Sequence, residues 1–352
     1  MRLARFALLF CSLLLSLVLL EGFLRLLSPG STFNTTFALY PHYKRTLRVT
    51  KQGQTRVITQ TTNRWGLRGE EPPVDWSRAY SIVTIGGSTT QCYYLDDHET
   101  WAYKLQEHLR TVNPDVWVGN AGLDGHTTIG HVEIMKKVIS VIRPKVVVVL
   151  VGINDAAMAL HPVTYVYDDP GRWTWRLYRC SRVARLLYTW YLIVAKGVHH
   201  VKDNPVSYHP QLLQDTGIDP KDIDLAGPLA AYQARLREII RLAHSYATTI
   251  IFLTQPSLWD DTPFWRSHEG GFYWVNDPKK VYSAATCSRI LKRYNRALMS
   301  VCRQEQVSCY DLASVIPHQE TYFYDSAHFN EAGTSLVALR VAEFLKRIIP
   351  RS

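Results

Sequence analysis

Short apolar runs alternate with stretches of helical spacing from residue 80 to the end of the chain. The apolar runs predict strands, at residues 81–85, 116–118, 145–151, 249–254 and 307–311. The stretches between them predict helices, over residues 101–109, 131–142, 229–247, 288–304 and 331–348. The run at 145–151 is apolar on both faces, as in a sheet covered on both sides. The pattern therefore predicts an α/β fold, a parallel sheet between two layers of helices.

The N-terminus follows a different pattern. Residues 6–20 are an unbroken run of apolar or small side chains, and Arg2 and Arg5 precede it. A helix that continues to Leu27 is roughly 33 Å long, which is enough to cross a bilayer core. We therefore predict that residues 1–27 form a signal anchor, a single transmembrane helix. Arginines before the run favour a cytoplasmic N-terminus, with the rest of the chain periplasmic or at the cell surface.

Two other interpretations of this segment stay open. A cleaved signal peptide fits the length of the apolar run, although Ser28-Pro29-Gly30 makes a poor cleavage site. A buried core helix is the remaining alternative.

Residues 28–78 predict a small β-rich extension and a linker. Alternation at 46–50 and 55–59 predicts two strands joined by a hairpin turn, and the segment 63–69 predicts a tight loop. The α/β domain then occupies residues 79–352.

Two segments of that domain are too long for ordinary connections and predict insertions. The first, about 157–228, interleaves aromatic residues with arginines, which fits either a buried helix or a lid that rests on a membrane surface. The second, about 257–287, is rich in aromatic residues and follows the end of a strand, where α/β proteins bind ligands. Ordinary loop packing is the alternative for its aromatic side chains.

The composition is 47% hydrophobic and 20% charged, which is typical of a globular protein. The net charge of +10 comes from dispersed Lys and Arg, without a basic block or a zinc spacing, so we expect no nucleic-acid partner and no metal. The charge is compatible with solubility alone, but next to an apolar N-terminus it favours anionic lipid headgroups.

Six cysteines are too few for a disulfide scaffold at 352 residues. Cys11 lies in the apolar segment, and the other five permit two bridges and one free thiol, whose pairing the sequence does not decide. Cys92, four residues after Ser88, is expected to be a small buried residue rather than a nucleophile.

Polar residues with catalytic potential follow the predicted strands. Ser88 comes after two glycines at the end of one strand and at the start of a helix, where backbone N–H groups stabilise negative charge. Gly125 can offer a backbone N–H and Asn154 an amide N–H to the oxyanion of an acyl-transfer reaction. Asp325 and His328 are three residues apart, so the carboxylate can orient the imidazole toward a serine.

Each piece alone has a simpler explanation. Ser88 could be a helix cap, Asn154 a turn residue, and Asp325 with His328 a capping aspartate and a surface histidine. Their order, each after a strand of one parallel sheet, resembles the SGNH hydrolase family, also called GDSL esterases. The resemblance covers roughly residues 80–350.

The resemblance implies a flavodoxin-like three-layer α/β/α sandwich. It implies that Ser88 is the nucleophile, that His328 is the base and that Asp325 is its partner. The backbone N–H of Ser88, Gly125 and Asn154 would form the oxyanion hole, and no cofactor is required. The family's Gly-Asp-Ser pattern has glycine at position 87 here, which alters the local hydrogen bonding. The extension at 28–78 resembles that of some membrane-anchored bacterial members.

The expected function is hydrolysis of an ester, with an acyl group carried by a glycan, a lipid or a small molecule. Two alternatives stay open. One is an O-acyltransferase that acts on cell-envelope or secreted polysaccharide with the same residues. The other is a catalytically silent glycan-binding or assembly protein.

Overall fold

The computed structural model describes residues 2–27, 41–51, 54–160, 181–184, 187, 206–207, 223–259 and 284–349. Contacts divide the chain into two compact units. One comprises Met1–Thr36 with Val166–Asn204, and the other comprises Phe37–Tyr165 with Pro205–Ser352.

Strands and helices alternate through most of the second unit. The strands are β1 Lys44–Lys51, β2 Gln54–Thr61, β3 Tyr80–Gly86, β4 Val116–Asn120, β5 Val146–Val151, β6 Val206–Ser207, β7 Thr249–Thr254 and β8 Ser308–Tyr310. The α-helices of the described chain include α1 Arg2–Leu27, α2 Ser88–Gln91, α3 Trp101–Arg110, α4 Thr128–Ile134, α5 Ser140–Ile142, α6 Ile153–Leu160, α7 Ala226–Ser245, α8 Ala284–Glu305 and α9 Glu331–Leu345. A π-helical stretch, Met135–Ile139, joins α4 to α5.

The central sheet has five parallel strands in the order β4-β3-β5-β7-β8. Val146, Val148 and Leu150 of β5 face a core that includes side chains of α3 and α9. Val147 and Val149 alternate with them and are also fully buried, on the face where α7 and α8 contact β7. Helices on both faces of a parallel sheet confirm the predicted α/β sandwich.

A second, smaller sheet lies in the predicted β extension and has the order β2-β1-β6. β1 and β2 are antiparallel, and Lys51 is paired with Gln54 across the predicted hairpin turn. β6 pairs in parallel with β1 through Val49 and Val206. This short strand comes from the predicted insertion at 157–228, and the sequence pattern did not indicate it. Most of that insertion, and residues 260–283 of the other, lie outside the described residues.

The N-terminal segment is a helix, α1, over the predicted range. Among the residues that the structure describes, no helix is both long enough and apolar enough to cross a membrane. The signal anchor and the location that follows from it stay predictions, as do the domain boundaries. Within the same unit, Glu21 of α1 accepts hydrogen bonds from Ser181 Oγ at 2.9 Å and Val183 N at 3.0 Å.

Two cysteines that the sequence could not pair are joined in the structure. A disulfide links Cys302, in α8, with Cys309, in β8. Cys92 is buried, and burial raises the pKa of its thiol to about 11, so it lacks the thiolate character of a nucleophile.

Candidate active site

The candidate residues follow the carboxyl ends of the sheet strands. Ser88 comes after β3, Gly125 after β4 and Asn154 after β5, and these three strands are neighbours. The loop with Asp325 and His328 follows β8. The carboxyl ends of parallel strands share one edge of the sheet, and ligands bind at that edge in such folds.

Ser88 is the first residue of α2, directly after the N-cap residue Gly87. Its side chain is buried, with 3% of its surface exposed. The first N–H groups of a helix have no partner within the helix. The Ser88 N–H has none elsewhere among the described residues either, so it can bind an incoming anion.

Hydrogen bonds connect Ser88, His328 and Asp325 in a line. Ser88 Oγ lies 2.7 Å from His328 Nε2, and His328 Nδ1 lies 2.6 Å from Asp325 Oδ2. A carboxylate only accepts hydrogen bonds, so Nδ1 of the neutral ring carries the proton and Nε2 accepts from the serine hydroxyl. The structure thus brings together three residues that the sequence placed in one site.

The loop of Asp325 explains the three-residue spacing to His328. Asp325 Oδ1 accepts hydrogen bonds from the backbone N–H of Ala327 and of His328, both at 2.8 Å. These bonds fold the chain back, so Oδ2 of the same carboxylate faces the His328 ring. Asn330 then caps α9 by accepting a hydrogen bond from Gly333 N at 2.9 Å.

Electrostatics within the pair favour a basic histidine. Burial lowers the pKa of His328, but the charge of Asp325 and its hydrogen bond outweigh burial and raise that pKa above its ordinary value. Burial raises the pKa of Asp325, whereas the charge and the hydrogen bonds of His328 lower it, and its net pKa lies below the usual range. Asp325 therefore stays ionised at neutral pH, and His328 is well suited to accept a proton.

Asn154 reaches from the start of α6 toward the helix of Ser88. Its Nδ2 donates to the backbone oxygen of His126 at 2.8 Å, which fixes the orientation of the amide. An amide nitrogen carries two protons, so the second N–H is available to a ligand. Asn154 is buried, with 2% of its surface exposed.

The glycine at position 87 lies against this amide. A Cβ added to Gly87 would lie 2.4 Å from Asn154 Nδ2, much closer than van der Waals contact. The backbone of Gly87 has φ −83°, which any residue can adopt, so the constraint on a side chain here comes from contact and not from conformation. An aspartate at this position, as in the family's Gly-Asp-Ser, would require Asn154 to shift in this structure.

Gly125 occupies the tight turn between β4 and α4. The turn is closed by a hydrogen bond from His126 N to Leu123 O at 3.1 Å, and Gly125 has φ +71°. A positive φ at this third position, without one at Asp124, is that of a type II turn and favours glycine. Gly125 N–H has no partner among the described residues, so it too can bind an anion.

Sequence analysis did not identify the residues that hold this turn. Asp155 is 2% exposed and accepts hydrogen bonds from Thr128 N, at 3.0 Å to Oδ2, and from the Thr128 hydroxyl. Arg235 of α7 contacts both residues, with Nε 2.6 Å from Thr128 Oγ1 and Nη2 3.3 Å from Asp155 Oδ1. Burial raises the pKa of Asp155, and Arg235 and Thr128 act against that shift. Consecutive residues, Asn154 and Asp155, therefore bind the two ends of the segment 126–128.

A cavity of about 320 Å³ opens at the carboxyl ends of β7 and β8. Its lining includes Lys292 and Arg296 of α8, but none of the five candidate site residues. The described residues contain no group of three or more His, Cys, Asp or Glu side chains that could hold a metal ion.

The geometry and a match to a protein family together assign the chain to a class of enzyme. The model of the GDSL-like lipase/acylhydrolase family matches residues 84–336, more than half of the chain. The chain is an α/β enzyme that hydrolyses ester bonds. It belongs to the GDSL-like lipase/acylhydrolase family, which confirms the resemblance drawn from its motifs.

The solved structures to which the chain is similar are distant from it in sequence. A lipolytic-type protein of the G-D-S-L family from Desulfitobacterium hafniense is 14% identical, with a TM-score of 0.43 over 75% of this chain and 98% of that chain. The acetylxylan esterase Axe2 from Geobacillus stearothermophilus is 16% identical, with a TM-score of 0.43 over 76% of this chain and 94% of that chain. TesA is 14% identical, with a TM-score of 0.44 over 76% and 99%. No curated protein matches the chain.

Proposed function

We propose that this enzyme hydrolyses its ester by serine acyl transfer, with Ser88 as nucleophile, His328 as general base and Asp325 as the group that orients His328. The proposal rests on the line of hydrogen bonds from Ser88 Oγ to His328 Nε2, at 2.7 Å, and from Nδ1 to Asp325, at 2.6 Å. Both distances allow direct proton transfer or a strong charge-assisted hydrogen bond.

In the first step, Ser88 Oγ attacks the carbonyl carbon of the ester. The hydroxyl proton moves to His328 Nε2, and the carbonyl oxygen becomes an oxyanion. The imidazolium that forms is stabilised by the ionised Asp325.

The oxyanion is bound by N–H groups that are already in place. Ser88 N–H and Gly125 N–H have no other partner among the described residues, and Asn154 has one amide N–H beyond the bond to His126. A single donor of this kind contributes roughly 3–4 kcal/mol to the stability of the transition state.

The intermediate then collapses and the enzyme is regenerated. His328 gives its proton to the leaving alcohol, and the acyl group stays on Ser88 as an ester. Water attacks that ester as His328 takes one of its protons. The bond between the acyl carbon and Ser88 Oγ then breaks, His328 returns the proton to Ser88 Oγ, and the carboxylic acid leaves. The substrate is an ester of a glycan, a lipid or a small molecule.

Replacement of Ser88 by alanine tests the proposal. Ser88→Ala is expected to lower kcat/KM on a short p-nitrophenyl ester by a factor on the order of 10⁴ or more. It should also abolish labelling by a fluorophosphonate probe. Ser77→Ala, which removes an exposed serine hydroxyl that donates a hydrogen bond to Asp75, is the control and should keep both signals. Unchanged hydrolysis by purified Ser88→Ala would refute the nucleophile.

The same probe separates the other functional classes. A parent protein that does not label at Ser88 would favour a silent binding or assembly role. If the trapped acyl-enzyme transferred its acyl group to an oligosaccharide hydroxyl faster than to water, the enzyme would be an O-acyltransferase.

A further inference from the structure

A buried arginine outside the catalytic residues contacts the helix that carries Ser88. Arg68 is 2% exposed and uses all five N–H groups of its guanidinium. Two of them donate to Asp97 Oδ1, from Nε at 3.0 Å and from Nη2 at 2.8 Å. The others donate to backbone oxygens, those of Gln91, of Cys92 at 3.0 Å and of Leu95 at 3.0 Å.

These backbone oxygens belong to the end of α2 and the loop after it. α2 has only four residues, and so short a helix is not stable through its own hydrogen bonds. The last carbonyl groups of a helix also lack partners within the helix. Arg68 supplies partners for Gln91 and Cys92, and Asn120 Nδ2 supplies one for Thr90 at 2.7 Å.

Arg68 is itself held from two sides. Its backbone N–H and C=O each form a 2.9 Å hydrogen bond with Asn120, the last residue of β4. Its partner Asp97 accepts bonds through Oδ2 from Thr61 of β2, from N at 2.8 Å and from Oγ1 at 2.6 Å. The guanidinium is therefore fixed between the central sheet and the β extension.

The tight loop at residues 63–69 brings Arg68 to this place. Asn63 Oδ1 accepts hydrogen bonds from Trp65 N at 2.9 Å and Leu67 N at 3.2 Å, which close the loop. Leu67 is buried next to Arg68. The loop precedes residues 84–336, which the family model matches, so this support comes from the extension.

We propose that Arg68 is a positioning residue for catalysis, because it holds the far end of α2 and thereby fixes Ser88 at 2.7 Å from His328 Nε2. The inference rests on the proposed role of Ser88 as the nucleophile. The planar guanidinium donates in several directions at once, and a lysine ammonium on a flexible stem does not replace that geometry. A shift of about 1 Å in a reacting group can cost roughly 100-fold in rate.

The test compares Arg68→Met and Arg68→Lys with the parent protein. The readouts are kcat and KM on a short p-nitrophenyl ester and the rate of fluorophosphonate labelling at Ser88. Arg68→Met is expected to lower kcat and the labelling rate by roughly 10- to 100-fold, with KM changed by less than about twofold. Arg68→Lys should lose less, because it keeps the charge and some donors.

Arg110→Met is the matched control. Arg110 also pairs with a carboxylate of the extension, Glu70, at 3.1 and 2.8 Å, but among the described residues it forms no hydrogen bond with α2. Its variant should keep the parental kcat and labelling rate. A folded Arg68→Met or Arg68→Lys protein with parental values would overturn the inference.

A third variant, Asp97→Asn, separates the positioning of α2 by Arg68 from the simple loss of a buried ion pair. It also tests the inference if Arg68→Met does not fold. Asp97→Asn removes the charge opposite Arg68 but leaves the three bonds from Arg68 to backbone oxygens. If Arg68 positions α2 through its bonds to backbone oxygens, Asp97→Asn loses less kcat than Arg68→Lys does. An equal or larger loss for Asp97→Asn would contradict the inference.

The failure of this inference can be distinguished from the failure of the proposed function. If Ser88→Ala is inactive and the Arg68 variants match the parent, only the inference fails. If Ser88→Ala is active, the proposed function is refuted.

Discussion

Asp325 holds both the backbone and the ring of His328. One carboxylate oxygen binds two backbone N–H groups, and the other binds the imidazole. The loop and the basicity of His328 therefore depend on the same side chain.

Replacement of the Asp325 carboxylate should change the pH dependence of kcat/KM. His328 accepts a proton only when neutral, and its pKa is raised by Asp325, so the activity of the parent falls as the pH drops through that raised value. Asp325→Asn removes the charge, lowers the pKa of His328 and moves the acid limb of kcat/KM to lower pH. We also expect kcat to fall by a factor on the order of 10⁴. Rates on a p-nitrophenyl ester across roughly pH 5 to 9 measure both effects.

Asp311→Asn is the control for that measurement. Asp311 accepts a hydrogen bond from Thr254 Oγ1 at 2.7 Å and takes no part in the line to Ser88. Its variant should keep the parental acid limb. If the acid limb of kcat/KM for Asp325→Asn stays at the parental pH, a group other than His328 controls that limb.

The candidate site illustrates what single residues reveal in a sequence. Ser88, Asn154 and the Asp325–His328 pair could be predicted because polar residues after apolar strands are conspicuous. The reason for glycine at position 87 could not, because it depends on the side chain of Asn154, whose Nδ2 lies 2.4 Å from the place that a Cβ at position 87 would occupy. Arg68 was part of a recognised loop, but nothing in the loop indicates that its guanidinium contacts α2.

At the scale of elements, α6 determines where the turn before α4 lies. Asn154 binds His126 O, and Asp155 binds Thr128, so the first residues of α6 hold the turn that presents Gly125 N–H.

Weakening the attachment of α6 to the turn should lower kcat more than it weakens substrate binding. Asp155→Asn keeps the shape of the side chain but removes the charge that faces Arg235 and Thr128. We expect kcat to fall about tenfold and the free energy of unfolding to fall by about 1–3 kcal/mol. Steady-state kinetics and urea unfolding measure the two effects.

Lys136→Met provides the comparison. It breaks an exposed pair on nearby helices, Lys136 with Glu238 at 2.7 Å, and should change stability by less than about 1 kcal/mol and leave kcat unchanged. Equal kinetics for Asp155→Asn and the parent would mean that the turn is held without this carboxylate.

The elements themselves were largely predictable, because apolar spacing reports which faces are buried. The five strands of the central sheet and most helices lie within a few residues of their predicted ranges. The π-helical stretch at Met135–Ile139 was not predicted, since one wide turn barely alters the apolar spacing. β6 has only two residues and too little pattern of its own.

At the scale of the whole molecule, the strand order could not be derived from periodicity. A buried strand shows that both faces are covered, but it does not show which strands are its neighbours. The order β4-β3-β5-β7-β8 brings Ser88, Gly125 and Asn154 together because β3 lies between β4 and β5.

We propose that the whole chain is held at a membrane by α1, with its α/β domain outside the cytoplasm. The apolar run after Arg2 and Arg5 supports the anchor, and the Cys302–Cys309 disulfide is typical of an oxidising compartment. The full chain should sediment with membranes and be digested by protease added to intact cells or, for a periplasmic domain, to spheroplasts, whereas a chain without residues 1–27 should lose membrane attachment. Recovery of the full chain in the soluble cytoplasmic fraction, with both cysteines open to alkylation, would contradict the proposal.

The distance along the chain between Ser88 and His328 also means that the two residues are synthesised at different times. Their side chains are hydrogen-bonded across a sequence separation of 240 residues. At roughly 5–20 residues per second, a ribosome makes Ser88 some 10–50 s before His328. A growing chain can present every strand of the central sheet and still lack His328. If His328 is the base, as proposed, the hydrolase is inactive during its own synthesis and gains its proton acceptor only as the last helix is made.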